Sequence, residues 1–416
     1  MTSLLRIFCL ELTALVRTWT AQMLVLASLA WFVAADRLLV ADSTAEGHRE
    51  MLVRYGLGGV FAILVVALLS AATGAIASER EARRLQLTQV RPVSAFSVAW
   101  GKFLALAAVG AVALAPPCAI LALSPDSAGR RCHHVSRPVM ESPRAEAEKM
   151  YDIYMADPET PPEAKKAKKA VVLRLLEQRA KDNYLPIQTN ETVSWTFPVR
   201  NTAPSSVRLR FSNDFDMRED VRGEIAADGL CGVVSNITKT AVTVPLRRSP
   251  VRCEPGVLTF RNTGAGAVML RPRQDVELLS DADSFAWNML RAYVVMLSVL
   301  SLAVAFGVFL GAGLSRPVAL FTAIVFLAVG EISPTVVDQY PDQLETDLVD
   351  SVGLAVTRVV ERSTRPVSAL SPLSLVAGDD CVEPSDAAAA FALDFALLPA
   401  LLCAMAAFLV RRKQEQ

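Results

Sequence analysis

An α-helical polytopic membrane protein of six transmembrane helices, carrying one inserted α+β domain with a β-sandwich, is the fold class this sequence predicts. Three observations predict it. Hydrophobic residues make up 52% of the chain and the mean hydropathy is +0.36, high for a protein surrounded by water. Charged residues are segregated into 125–285 and 331–386, leaving long uncharged stretches elsewhere. After Pro186 the apolar period becomes two, as half-buried strands require. The expected domains are therefore 1–125 (first membrane part), 126–284 (outer domain, helical over 140–185, β-sandwich over 187–282) and 285–416 (second membrane part). A net charge of zero suggests no nucleic-acid partner.

Residues 2–17 place Leu5, Phe8, Leu12 and Leu15 on one helical face, with Arg6, Glu11 and Arg17 elsewhere. Such a short amphipathic helix beside a span fits the membrane interface, or a plain cytoplasmic tail. The first span runs uncharged from Thr18 to Ala35. A cleaved signal peptide is disfavoured, because the lead is long and carries Glu11 among its arginines. The second span is Tyr55–Ser78. The third is Phe103–Pro125, where Pro116-Pro117 should kink the outer half.

From Asp126 the character changes. Cys132-His133-His134 has no second ligand pair at a zinc-like spacing, so it reads as a solvated loop and no metal is expected. Two helices fit 145–156 and 163–181. The second starts at Pro161-Pro162, with Val171, Val172, Leu175 and Leu176 as its apolar side and Lys165, Lys166, Lys168 and Lys169 as its wet face. Strands fit around Val193–Val199, Val207–Phe211, Ala241–Pro245, Gly256–Arg261, Ala267–Leu270 and Val276–Leu279. Short strands at this spacing, joined by Asn, Gly and Pro turns, predict an antiparallel sandwich. That fold names no ligand.

The fourth span is Ala292–Ser315, with Arg291 reaching toward its outer surface. A tight turn at Leu314-Ser315-Arg316-Pro317 leads into the fifth, Pro317 to about Val337, which Glu331 interrupts. An amphipathic helix over 343–362 follows, with Leu344, Leu348, Val352, Val356 and Val359 on one side, and then a loop. The last span is Ala387–Val410, anchored by Arg411-Arg412-Lys413. Six spans with both termini cytoplasmic satisfy the positive-inside rule. At about 1.5 Å per residue, Glu331 and Asp394 reach about 22 Å and about 25 Å above the inner surface. Acidic groups at that depth either mark the ends of their spans or face a polar outer vestibule shared with Arg291.

Of the seven cysteines, Cys118 and Cys403 fall in spans as small apolar residues and Cys9 near the inner surface. Cys132, Cys231, Cys253 and Cys381 fall outside. Cys231 and Cys253 flank neighbouring strands and are candidates for a disulfide in an oxidising periplasm, or for two free thiols, since spacing does not give geometry.

The chain has no Gly-x-x-x-x-Gly-Lys-Ser/Thr, no His-Glu-x-x-His and no Gly-x-Ser-x-Gly. An enzyme is not expected, and any ATP that drives the protein must be hydrolysed on another subunit.

The most particular stretch is Ser78–Lys102, SEREARRLQLTQVRPVSAFSVAWGK. Arg80, Arg83, Arg84 and Arg91 outweigh Glu79 and Glu81, which places the stretch on the cytoplasmic side. Ser-Glu-Arg-Glu opens a polar helical turn, Leu85 and Leu87 give it an apolar side, and Arg91-Pro92 breaks it. This stretch resembles the cytoplasmic coupling loop of the permease subunits of type-2 ABC transporters. There a Ser-Glu-(Arg/Lys)-Glu run, a Leu-rich turn, Pro-Val-Ser and Gly-Lys recur in that order. The family's usual Gly-Thr is missing at Ala82–Arg84. The resemblance implies an exporter permease of the bacterial inner membrane, with no cofactor in this chain and ATP on a cytoplasmic ABC ATPase subunit. It also implies a second permease subunit, in the lipid bilayer, and loop 78–97 as the ATPase contact through Glu79, Arg80, Glu81, Arg84 and Leu85. A non-transport alternative is a membrane-anchored periplasmic binding or scaffold protein.

Overall fold

Long apolar runs become helices and the alternating region becomes sheets in a computed structural model of the chain. It describes residues 3–39, 45–81, 94–127, 129–156, 169–181, 183–198, 203–211, 222–227, 229–234, 241–248, 256–264, 266–339 and 372–412. The amphipathic helix 343–362, Arg84, Leu85 and Cys253 lie outside these residues. Two compact units divide the chain. One is built from Met1–Cys132, Asp283–Asp338 and Thr346–Gln416, the other from His133–Ala282 and Gln339–Glu345.

The first unit is helical. Thr18, in extended backbone, separates α1 (Ser3–Arg17) from α2 (Trp19–Leu38). The next helix, α3, runs through Ala45–Met51, a wide π turn at Leu52–Leu57 and Gly58–Glu81. Helix α4 (Ala95–Leu123) starts at Ser94, whose Oγ accepts the Ser97 N–H at 3.1 Å. It therefore begins eight residues before the expected Phe103, and it continues through Pro116 and Pro117. Helix α5 (Phe285–Gly313) is capped in the same way by Ser284, and α6 (Arg316–Gln339) follows a tight turn. A short α7 (Pro372–Ala377) precedes α8, which runs through Pro384–Ala390, a π turn at Phe391–Leu397 and Leu398–Arg412.

Among the described residues five helical stretches are long and apolar enough to cross a membrane: Ala21–Leu38, Gly47–Glu81, Ala95–Leu123, Phe285–Gly313 and Pro384–Arg412. A shorter apolar stretch covers Arg316–Ala328. The chain is a helical multi-pass membrane protein with a separate β-rich region.

Lipid tails are as apolar as leucine, so close packing rather than exclusion from water holds such helices together. Gly307 and Gly311, one turn apart, let α5 approach α3. A Cβ at Gly307 would lie 2.7 Å from the Ala72 Cβ, and one at Gly311 would strike the Thr73 carbonyl oxygen. Tyr293 Oη adds an interhelical hydrogen bond to the Ala111 carbonyl at 3.1 Å. Helix α1 lies along α4, with Ile7 against Gly101. Its Leu12 and Leu15 pack on the core, while Leu5, expected on the same face, is exposed.

The second unit is β-rich. Its strands are β1 (Arg131–Ser136), β2 (Leu185–Ile187), β3 (Thr192–Thr196), β4 (Pro204–Arg210), β5 (Gly223–Ala227), β6 (Leu230–Val234), β7 (Ala241–Pro245), β8 (Arg247–Arg248), β9 (Val257–Asn262), β10 (Val268–Leu270) and β11 (Val276–Ser284). They form sheets ordered β1-β11-β4-β7, β3-β9-β5-β6-β8 and β10-β2. Val276 sits opposite Leu209, Trp195 opposite Leu258, and Ile225 opposite Phe260. Ile187, Trp195, Leu209, Ile225, Phe260 and Val276 belong to one apolar cluster to which all three sheets contribute. Buried Glu277 accepts from Arg208 at 3.1 Å, Arg210 at 3.2 Å and Arg137 at 3.4 Å, so its charge is paired within the unit.

Two expectations are corrected here. Cys132-His133-His134 is not a solvated loop but part of β1, with Cys132 and Ser136 buried and His133 Nδ1 3.4 Å from the Asp281 carboxylate. Leu175, expected on the apolar side of its helix (Lys169–Lys181), is exposed, and Ala180 is buried instead.

Candidate functional site

Charged side chains gather at both ends of the membrane unit. At the end where α3 leads toward α4, Lys102 is 4% exposed although it carries a full charge. Burying an ammonium is costly unless it is paired. Here its Nζ donates to Glu11 of α1 and Glu79 of α3, both at 2.7 Å. The residue after Glu79, Arg80, donates to the carbonyls of Ala312 at 2.8 Å and Leu314 at 2.6 Å. These lie at the C-terminal end of α5, where unpaired carbonyls and the helix dipole favour a cation. Four helices are thus tied to the two ends of the 82–93 segment. Glu81 is exposed. Of the expected contact residues, Glu79 and Arg80 are engaged inside the unit and Glu81 is presented outward.

At the opposite end, the Asp379 carboxylate accepts from Arg49 at 2.5 Å and from Arg130 at 2.8 Å. Arg49 is buried, stacks its guanidinium over Phe285 at 5.2 Å, and has Nε and Nη1 without a hydrogen bond among the described residues. Beside it a cleft of about 200 Å³ is lined by Phe32, Leu52, Ile120, Asp36 and His48, the last two 3.2 Å apart. Asn288, fully buried, holds the 380–382 segment by donating to the Asp380 carbonyl at 2.9 Å and accepting the Val382 N–H at 2.8 Å.

Arg291 pairs with Asp283 and reaches the Cys381 sulfur at 3.4 Å. It makes no described contact with the carboxylates expected to share a vestibule with it. Asp394 is 1% exposed inside the π turn of α8, ten residues along the helix from its start at Pro384. Glu331 lies within α6, and its side chain is outside the described ones. The ionisable groups that do line a cleft at this end are Asp36, His48 and Arg49. In sequence they stand in a short connection between spans that carries no motif.

Cys231 is exposed on β6. No protein-family model matches the chain, and no curated protein matches it.

Proposed function

We propose that this chain is the membrane-spanning permease subunit of an ABC transporter, an exporter driven by a separate ATPase subunit. In this reading α6 completes six spans. Both termini and the 82–93 segment face the cytoplasm of a bacterial inner membrane, and the β unit is a periplasmic β-sandwich. A second permease subunit completes the path.

The observation that carries the reading is the anchoring at the loop. Glu79 and Lys102 flank the 82–93 segment and meet in one ion cluster with Glu11, while Arg80 grips the end of α5. A force applied to that segment by a closing ATPase dimer therefore reaches α1, α3, α4 and α5 together. Alternating access needs such a transmission element, and rigid pairing at its base keeps the push from being lost in loop motion.

The chain purified from its own membranes should bring with it a subunit bearing Gly-x-x-x-x-Gly-Lys-Ser/Thr, whose ATP hydrolysis responds to the permease. Glu81→Lys reverses an exposed charge without touching the buried cluster. It should weaken that association about tenfold, equivalent to about 1.4 kcal/mol. A chain that behaves normally in membranes with no such subunit would favour the anchored binding or scaffold protein.

A further inference from the structure

Two thiols 249 positions apart meet at the end of the membrane unit that carries Asp379. Cys132, at the start of β1, is fully buried, and Cys381, in the segment between α7 and α8, is 9% exposed. Their side chains lie within interaction range of each other. Neighbouring groups hold both in place. Cys132 donates to the Asp283 carbonyl at 3.2 Å, the Asp283 carboxylate pairs with Arg291, and Arg291 Nη1 lies 3.4 Å from the Cys381 sulfur. The Arg130–Asp379 ion pair runs two residues before each cysteine and fixes the same two segments side by side.

We infer that Cys132 and Cys381 form a disulfide that joins the segment after α4 to the segment before α8. The inference rests on the reading that this end of the unit faces an oxidising compartment. The oxidant is a disulfide of a protein or a small molecule. One thiolate of the pair attacks a sulfur of that disulfide and expels a thiolate, giving a mixed disulfide. The second thiolate then displaces the remaining oxidant sulfur. Two electrons and two protons pass to the oxidant, which leaves as two thiols. Since Cys132 is covered in the folded unit, exchange takes place before that end closes, and the finished bridge is then shielded from reductants.

The test counts alkylatable thiols in full-length protein, trapped in acid, denatured without reductant and treated with a maleimide. Cys132→Ala and Cys381→Ala are compared singly with the parent chain. A bridge hides two thiols, so removing either partner frees the other, and each variant gains one label over the parent. Two free thiols give the opposite sign: each variant loses one label. Non-reduced peptide mapping of the parent chain should also show the Cys132 and Cys381 peptides joined with the loss of two hydrogens. A one-label loss that persists after the purified protein is opened in denaturant with diamide and the denaturant is removed overturns the pairing. If the gain appears only after diamide, the pairing stands and the oxidising-side assignment falls.

Discussion

Lys102 shows how burial decides which charge of a cluster matters. Its ammonium is almost wholly covered, whereas Glu11 and Glu79 keep about a third of their side-chain surface. Removing the lysine leaves two carboxylates that can turn to solvent. Removing both carboxylate charges leaves a buried ammonium with neutral partners, the costlier state. Lys102→Met should therefore cost about 1 kcal/mol and Glu11→Gln with Glu79→Gln about 3 kcal/mol, read as thermal unfolding in detergent. If Lys102→Met proves the more damaging, the cluster is held by the lysine's geometry and not by its burial. The sequence alone marks Gly101-Lys102 as the threshold of a span, because charge normally ends one. That inference fails here because Glu11 is 91 positions away, and only the packing of α1 on α4 brings it close. The Asp379 pairing, 330 positions from Arg49, was equally out of reach. Asp379→Asn should lower the unfolding temperature by removing the negative charge that two arginines share, one of them buried; an unchanged unfolding temperature would rule that out.

At the scale of elements, the apolar runs located five of the six expected spans as long apolar helices, and their ends poorly. Helix α4 gains its first turns from the Ser94 cap, and α8 begins at Pro384, three residues before the expected Ala387. Irregularities inside helices were not visible either. On α8 the buried positions Ala387, Ala390 and Asp394 are followed by Pro399, Cys403 and Ala406, so one step is five residues wide where the π turn lies. That wide step lets Asp394 and Pro399 face the same side. Gly307-Val308-Phe309-Leu310-Gly311 was legible in principle, as a small-xxx-small pattern within a span. Its use in the fold is a testable matter of space. A Cβ at Gly311 meets the α3 backbone, which cannot swing away as a side chain could, whereas one at Gly313 meets only Leu409 Cδ1 at 3.4 Å. Gly311→Ala should cost roughly 1–3 kcal/mol as an overpacked contact. Gly313→Ala should be neutral or gain up to about 1 kcal/mol of helix propensity. Equal effects in thermal unfolding would mean that α5 and α3 do not rely on this approach.

For the whole molecule, the question is whether the β unit is a domain in its own right. Alternating residues on β3, β4 and β11 were readable because apolar and polar side chains alternate along each strand, and Trp195, Val207, Leu209 and Val276 all fall inside. The hairpin of β5 and β6 was not read, since Gly223–Ala227 and Leu230–Val234 are rich in small residues and weak in alternation. Three features argue for independence. Its apolar cluster draws on all three sheets. Its buried carboxylate Glu277 finds every described partner among the unit's own arginines. Its first and last strands, β1 and β11, are neighbours in one sheet, so the chain enters and leaves at adjacent points, as an inserted domain requires. Residues 133–284, exported as a soluble protein, should therefore give a strand-rich circular dichroism spectrum and a single cooperative thermal transition. Glu277→Gln should then lower that transition within the isolated domain, because three arginines lose their shared countercharge and Arg208 is itself buried. A broad, non-cooperative melt would mean that the sheets need the membrane unit to close their core. A cooperative melt that Glu277→Gln leaves unchanged would mean that the apolar cluster alone holds the domain.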